Sequence, residues 1–235
     1  MPADGYGVRN MNKVLIVAAH PDDEILGCGG TIAKHGLSGD EVYCLILSEG
    51  VTSRYEKDAL TTIWVADAKQ KKEEAAIQAA NILGMKLYLR DFPDQQLDTI
   101  PLLEIVKTIE EVKDKVKPTI IYTHYKDDLN LDHRITFQAC LTACRPLENE
   151  TVKEIYSFEV PSSTEWGTHT FTPNVFVDIS ETFDKKIEAL KCYESELRPY
   201  PHPRSLEAIK TLAMYRGYQS GLQLTEAFKL IRWIK

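Results

Sequence analysis

The chain has 235 residues, 43% of them hydrophobic, enough to bury a sizeable core, and we expect a single domain over 1–235. A formal net charge of −7 lacks the basic face of a dedicated nucleic-acid binder, so no nucleic-acid partner is expected. No apolar run approaches the ~20 residues of a membrane span, and the polar stretch 1–11 carries no secretory signal, so the expected compartment is the cytoplasm.

Taken in order, Lys13–Ala19 is an apolar run of strand length, as for a strand covered on both faces. It breaks at Pro21 into His20, Asp22, Asp23 and Glu24. Ile25–His35 reads as a helix interrupted by Gly27, Gly29 and Gly30, which permit close packing on the sheet. Glu41–Leu47 is a second strand, and 51–58 a polar loop carrying Arg54. The spacing predicts a helix over 66–83, with an apolar stripe of Ala75, Ala76, Ala79, Ala80 and Leu83. Gly84 suits its C-terminal cap. Met85–Leu89 is a short strand, 91–96 a turn around Pro93, and 100–116 an amphipathic helix stopped before Pro118. Thr119–Thr123 is another buried strand.

That strand also ends in a polar cluster: His124, Asp127, Asp128, Asn130, Asp132 and His133. A helix over 134–143 follows. Alternating strands and helices predict an α/β fold of Rossmann-like type, with a mostly parallel central sheet and helices on both faces. Beyond it we expect strands at 153–160 and 175–179, separated by a polar loop. Helices are expected at 183–197 and 205–219, and 229–234 is open between strand and helix. The five cysteines, Cys28, Cys44, Cys140, Cys144 and Cys192, are odd in number and irregular in spacing, as for reduced core thiols.

In a parallel sheet the carboxyl ends share one edge, so the two His/Asp clusters can meet there. His20 and Asp23, three apart across a proline turn, can point into one pocket, and His133 can supply a third metal ligand. Three protein ligands with a fourth position open is the catalytic zinc pattern. Zn2+ there would lower the pKa of water toward ~7 and polarise a carbonyl. Asp22, beside the ligands, is the natural general base. Asp132 or Asp128 can orient an imidazole. An acid cluster after one strand also suits a solvated helix N-terminus, but two strands each ending in a His/Asp cluster are harder to explain that way.

The run Ala19-His20-Pro21-Asp22-Asp23-Glu24 resembles the signature of the LmbE-like, or PIG-L, family of zinc-dependent N-deacetylases, and Asn130-Leu131-Asp132-His133 resembles its second motif. The resemblance covers about the first 145 residues. It implies zinc ligands His20, Asp23 and His133, general base Asp22, and removal of acetate from an N-acetylated amino sugar, often a glucosamine unit on a larger acceptor. Many members carry a histidine where this chain has Asn130. Asn130 can still donate a hydrogen bond but cannot act as a general acid, so His124, His202 or Asp22 itself is left for that step. Many also carry an arginine early in the Ala-rich helix, where this chain has Lys71 and Lys72, and Arg54 can serve instead.

Further substrate contacts are expected from Trp166, whose indole suits a sugar face, and from Arg198, His202 and Arg204, stiffened by prolines and suited to a phosphate or carboxylate. Salt bridges of these arginines to Glu194 and Glu196 are the plainer alternative. A homo-oligomer is compatible with this reading. The rivals are a nucleotide-binding Rossmann-like protein, against which no Gly-x-Gly-x-x-Gly follows the first strand, and a non-catalytic protein with a vestigial metal site.

Overall fold

The computed structural model describes residues 11–235. Chain order runs β1 (Lys13–Ala18), α1 (Asp23–Leu37), β2 (Glu41–Ser48), α2 (Ile63–Leu83), β3 (Lys86–Phe92), α3 (Leu102–Val116), β4 (Ile120–His124) and α4 (Leu131–Ala143). It continues with β5 (Glu154–Phe158), β6 (Val175–Asp178), α5 (Phe183–Lys191), α6 (Leu206–Ser220) and β7 (Thr225–Trp233). The sheet order is β3-β2-β1-β4-β5-β7-β6. Strands β1 to β5 pair parallel, and β7 runs antiparallel between β5 and β6. This is the expected α/β architecture with a mostly parallel sheet.

The apolar run of β1 is explained by its two covered faces. Val14, Ile16 and Ala18 pack into one core with α1, α2 and α5, whereas Leu15 and Val17 face the other core with α3 and α4. The strand order reverses between β1 and β4, which opens a crevice at their carboxyl ends.

Helix α1 approaches the sheet closely because it carries glycine at the contact. A Cβ on Gly27 would lie 2.3 Å from the Phe158 ring. The helix kinks at Cys28, where the backbone leaves helical geometry. The groups freed there find partners from the C-terminal third. The Glu226 carboxylate accepts from the amides of Gly30 (3.0 Å) and Thr31 (2.7 Å), and Lys186 Nζ donates to the Leu26 carbonyl (2.9 Å) and to Glu226 (2.6 Å). This buried ion pair is tolerated because its hydrogen-bonding groups are occupied.

Three segments differ from expectation. The helix expected to Leu197 stops at Lys191, the backbone turns non-helical at Tyr193, and a short 3-10 turn covers Glu194–Glu196. The segment left open at 229–234 is part of a strand, β7, which starts at Thr225. Strand β3 runs on past Leu89 to Phe92. Among the described residues, no helix is long and apolar enough to cross a membrane.

Candidate active site

The first wall of the crevice is the turn after β1. Asp22 precedes α1 with φ 111°, a left-handed conformation costly for a residue with a Cβ. The Asp22 amide donates to Glu24 Oε2 at 3.0 Å, and Glu24 Oε1 accepts from the Tyr193 hydroxyl at 2.7 Å. Burial pushes the Glu24 carboxyl up to about 8 against the pull of that hydroxyl. The turn sends Asp23 inward, where Oδ2 lies 3.2 Å from both His20 Nδ1 and His133 Nε2.

The second wall follows β4. Asn130 caps α4, its side-chain oxygen accepting from the Asp132 amide at 2.9 Å, and this places Asp132 and His133 in the first helical turn. His133 Nδ1 lies 3.1 Å from Asp128 Oδ1, and His20 Nε2 lies 3.1 Å from Asp132 Oδ2. Each imidazole therefore has one nitrogen toward Asp23 and the other toward a second carboxylate, the arrangement that orients metal-binding histidines.

These charges hold one another. Burial alone would lower His20, but its bonds to Asp132 and Asp23 raise it to about 10. Burial likewise opposes His133, and the charge of Asp23 with the bond to Asp128 raises it to about 9. Burial would raise Asp128, but His133 and the hydroxyls of Ser163 and Thr164 hold it at about 2.

The residues fit a divalent cation. Ligand atoms of His20, Asp23 and His133 lie within 4.8 Å of one another, all three side chains are buried, and Asp23 Oδ1 is buried with no hydrogen-bond partner. Two imidazoles and a carboxylate suit zinc and its neighbours. His20, Asp94 and Asp132 are grouped as closely. Their carboxylates are already engaged, Asp132 by the Leu97 amide at 3.0 Å and Asp94 by Ser53, so they read better as outer partners of His20.

Above the cluster opens a cleft of about 410 Å3. Asp22, Arg54, Asn130, Trp166 and Arg204 all line it. His202 stands behind Trp166, edge-on at 5.9 Å between ring centroids, and its Nδ1 accepts from the Arg204 amide. Three of the expected contacts, this histidine among them, do not line the cleft. His124 is fully buried beneath the cluster, where its Nε2 accepts from the Ala19 amide at 2.8 Å and its ring stacks on His133 at 4.0 Å. Burial lowers its pKa well below the usual range, so it is neutral. Arg198 is bound to the carbonyls of Ser195 and Leu197 and does not line the cleft.

Asp94 and Gln95 also line the cleft and were not expected there, whereas Glu196, expected only as a surface salt-bridge partner of the arginines, proves to be a buried wall residue beside Lys72. Asp94 and Gln95 follow β3, a parallel strand whose carboxyl end falls on the same edge, which was the available signal. Glu196 gathers three cations: Lys72 Nζ at 2.6 Å, Arg54 Nη2 at 2.7 Å and Arg204 Nη1 at 3.3 Å. Burial would raise its carboxyl, but these partners, Lys72 foremost, lower it to about 2.

The sequence profile of the PIG-L family, described as GlcNAc-PI de-N-acetylase, matches residues 15–144, more than half of the chain. The chain belongs to the PIG-L family. Among its relatives, the diacetylchitobiose deacetylase of Thermococcus kodakarensis is 29% identical over 235 aligned residues, covering 95% of this chain and 84% of the relative. The 4-oxalmesaconate hydratase of Pseudomonas putida is 28% identical over 232, covering 90% and 84%. The solved N,N'-diacetylchitobiose deacetylase of Pyrococcus horikoshii superposes with a TM-score of 0.75 at 23% identity, covering 95% of this chain and 85% of that one, a likeness of fold. A deacetylase and a hydratase at nearly equal distance mean that membership of the PIG-L family alone does not name the substrate.

Proposed function

We propose that this PIG-L protein is a zinc-dependent hydrolase that removes the acetyl group from an N-acetylated amino sugar, a GlcNAc-type unit on a glycoconjugate. One observation carries the reading: the Asp22 carboxylate lines a polar cleft directly beside the His20–Asp23–His133 cluster. A divalent ion held by those three residues supplies Lewis acidity for an acyl carbonyl and for water.

The remaining work falls to the chain. Burial pushes the Asp22 carboxyl above the usual range, against the pull of Arg204 and Lys72, which makes it a stronger base. Arg204 holds Oδ2, so Oδ1 takes the proton of the attacking water. With His124 buried and His202 behind Trp166, Asp22 also returns that proton to the amine nitrogen as the C–N bond breaks. Asn130 uses its side-chain oxygen to cap α4, leaving its NH2 to donate to the acyl oxygen. The Trp166 indole offers an apolar face to the sugar ring, and Arg204 offers donors to its hydroxyls.

The test is acetate release from free and conjugated N-acetylglucosamine, after stripping the protein with a chelator and restoring zinc. Activity lost on stripping and regained with zinc supports the reading. Metal binding without acetate release favours the vestigial alternative. Turnover of 4-oxalmesaconate in place of any acetamido sugar overturns it in favour of hydration.

A further inference from the structure

A second cavity of about 380 Å3 abuts the active-site cleft, and the two share Arg54, Lys72 and Glu196 in their walls. The partition between them is thus an ion-pair cluster and not packed apolar side chains. Its three cations differ in how firmly they are held. Lys72 is buried, its side chain 6% exposed and its Nζ 2.6 Å from Glu196, whereas the Arg54 side chain is 47% exposed. Arg204 stands between, 20% exposed and also tied to Asp22. If Arg54 leaves, Glu196 keeps Lys72 and Arg204, so no buried carboxylate is stranded. Glu196 is buried but the guanidinium end of this pair is half exposed, which limits what the pair contributes, and Arg54 is the most accessible and so the most movable member of the wall.

The second cavity suits an anion better than a cation. Arg54, Lys71 and Lys72 line it together with Tyr55 and Ser195, and the acids present are Glu194 and Glu196. Glu196 is already neutralised from the cleft side. Lys71 is paired with exposed Asp67, at 2.8 Å. Arg54 holds Glu196 through Nη2 alone, which donates to both oxygens at 2.7 and 2.9 Å, and a released guanidinium can present two nitrogens as a fork to a carboxylate or phosphate.

We propose that this cavity is a subsite for the aglycone of the substrate, and that Arg54 swings from Glu196 to grip an anionic group on it, carboxylate or phosphate. The inference rests on the deacetylase reading and specifies the substrate class for the same site. The acetamido sugar occupies the cleft over Asp22, and its aglycone extends past the partition.

The experiment compares kcat/KM for acetate release from three N-acetylglucosaminides of similar size, with a neutral, a carboxylate and a phosphate aglycone. The wild type prefers one or both anionic substrates roughly 10-fold or more, as for a charge-assisted contact, chiefly through KM. Arg54→Ala brings the three values to within about twofold of one another, and Lys71→Gln narrows the gap without closing it. The carboxylate and phosphate arms distinguish the two sources of charge. Equal values in the wild type, or a preference that survives Arg54→Ala, overturn the proposal while leaving the deacetylase reading intact. Failure to release acetate from all three, neutral substrate included, removes the deacetylase reading and this inference with it.

Discussion

Arg204 donates to Oδ2 of Asp22 at 2.8 Å across 182 positions of sequence. The contact ties the C-terminal third to the loop after β1 and fixes one carboxylate oxygen while the other stays available. Asp22 is buried and sits in a backbone conformation that L side chains seldom adopt, so the fold holds it there against strain.

Asp22→Asn keeps the shape of this turn and removes the proposed base. We expect acetate release to fall by about 10²- to 10⁴-fold, the usual contribution of a positioned general base. Bound metal per chain stays near the wild-type value, because His20, Asp23 and His133 are untouched. Metal analysis and rate measurement on one preparation check both halves. A rate within about fivefold of wild type means the proton goes elsewhere.

Asp128 lies behind His133, 3.1 Å from Nδ1, and also accepts from Ser163 and Thr164. Asp128→Ala leaves all three candidate ligands in the chain but frees the imidazole to turn. Metal affinity is expected to drop about 10- to 100-fold, the range seen when such outer carboxylates are removed. Competition with a chromophoric chelator measures it. An unchanged affinity shows that packing against His124, not Asp128, orients the ring.

Metal uptake carries a proton signature. Without metal, His20 at about 10 and His133 at about 9 both hold protons at neutral pH. Coordination needs their neutral forms, so binding expels protons and tightens as pH rises toward those values. Titration calorimetry at pH 7 in buffers of different ionisation enthalpy reads the number released, expected to be about two. Zero released would mean the imidazoles are neutral in the free protein.

The core of this arrangement was legible because of how β1 and β4 are buried. Strands covered on both faces must be apolar throughout, so the change to His20 and Asp22, or to His124 and Asp128, stands out. A parallel sheet then brings those ends to one edge. Asp94 was hidden for the opposite reason: β3 is the half-exposed edge strand, and polar residues after it look like an ordinary turn. Glu196 was foreseen only as a surface partner of the arginines, because apolar spacing continues the helix through it. What stops that helix is Tyr193, drawn toward buried Glu24, a contact between residues 169 positions apart that no local pattern records. Likewise the charge of Glu226 is explained only by the kink in α1, whose free amides it caps.

Glu196 sets the acid side of stability. Its folded pKa of about 2 lies below the ordinary glutamate value of 4.5, so the folded state releases this proton more readily than the unfolded chain. Its contribution is therefore present above about pH 4.5 and is lost as pH falls toward 2. With the partial exposure of Arg54 and Arg204 allowed for, it is worth on the order of 2 kcal/mol at neutral pH. Glu196→Gln removes the titration while nearly keeping the volume. Urea unfolding of metal-free wild type and variant should differ most at pH 6–7 and converge as pH falls through 2.5 toward 2, where the wild-type carboxyl is half protonated. The two guanidiniums explain the direction, since they stay charged over that whole range, and Asp22, which shares Arg204, titrates in wild type and variant alike. A gap that stays constant from pH 7 to pH 2.5 would mean that the three cations do not depress this carboxyl, and that Glu196 acts through packing alone.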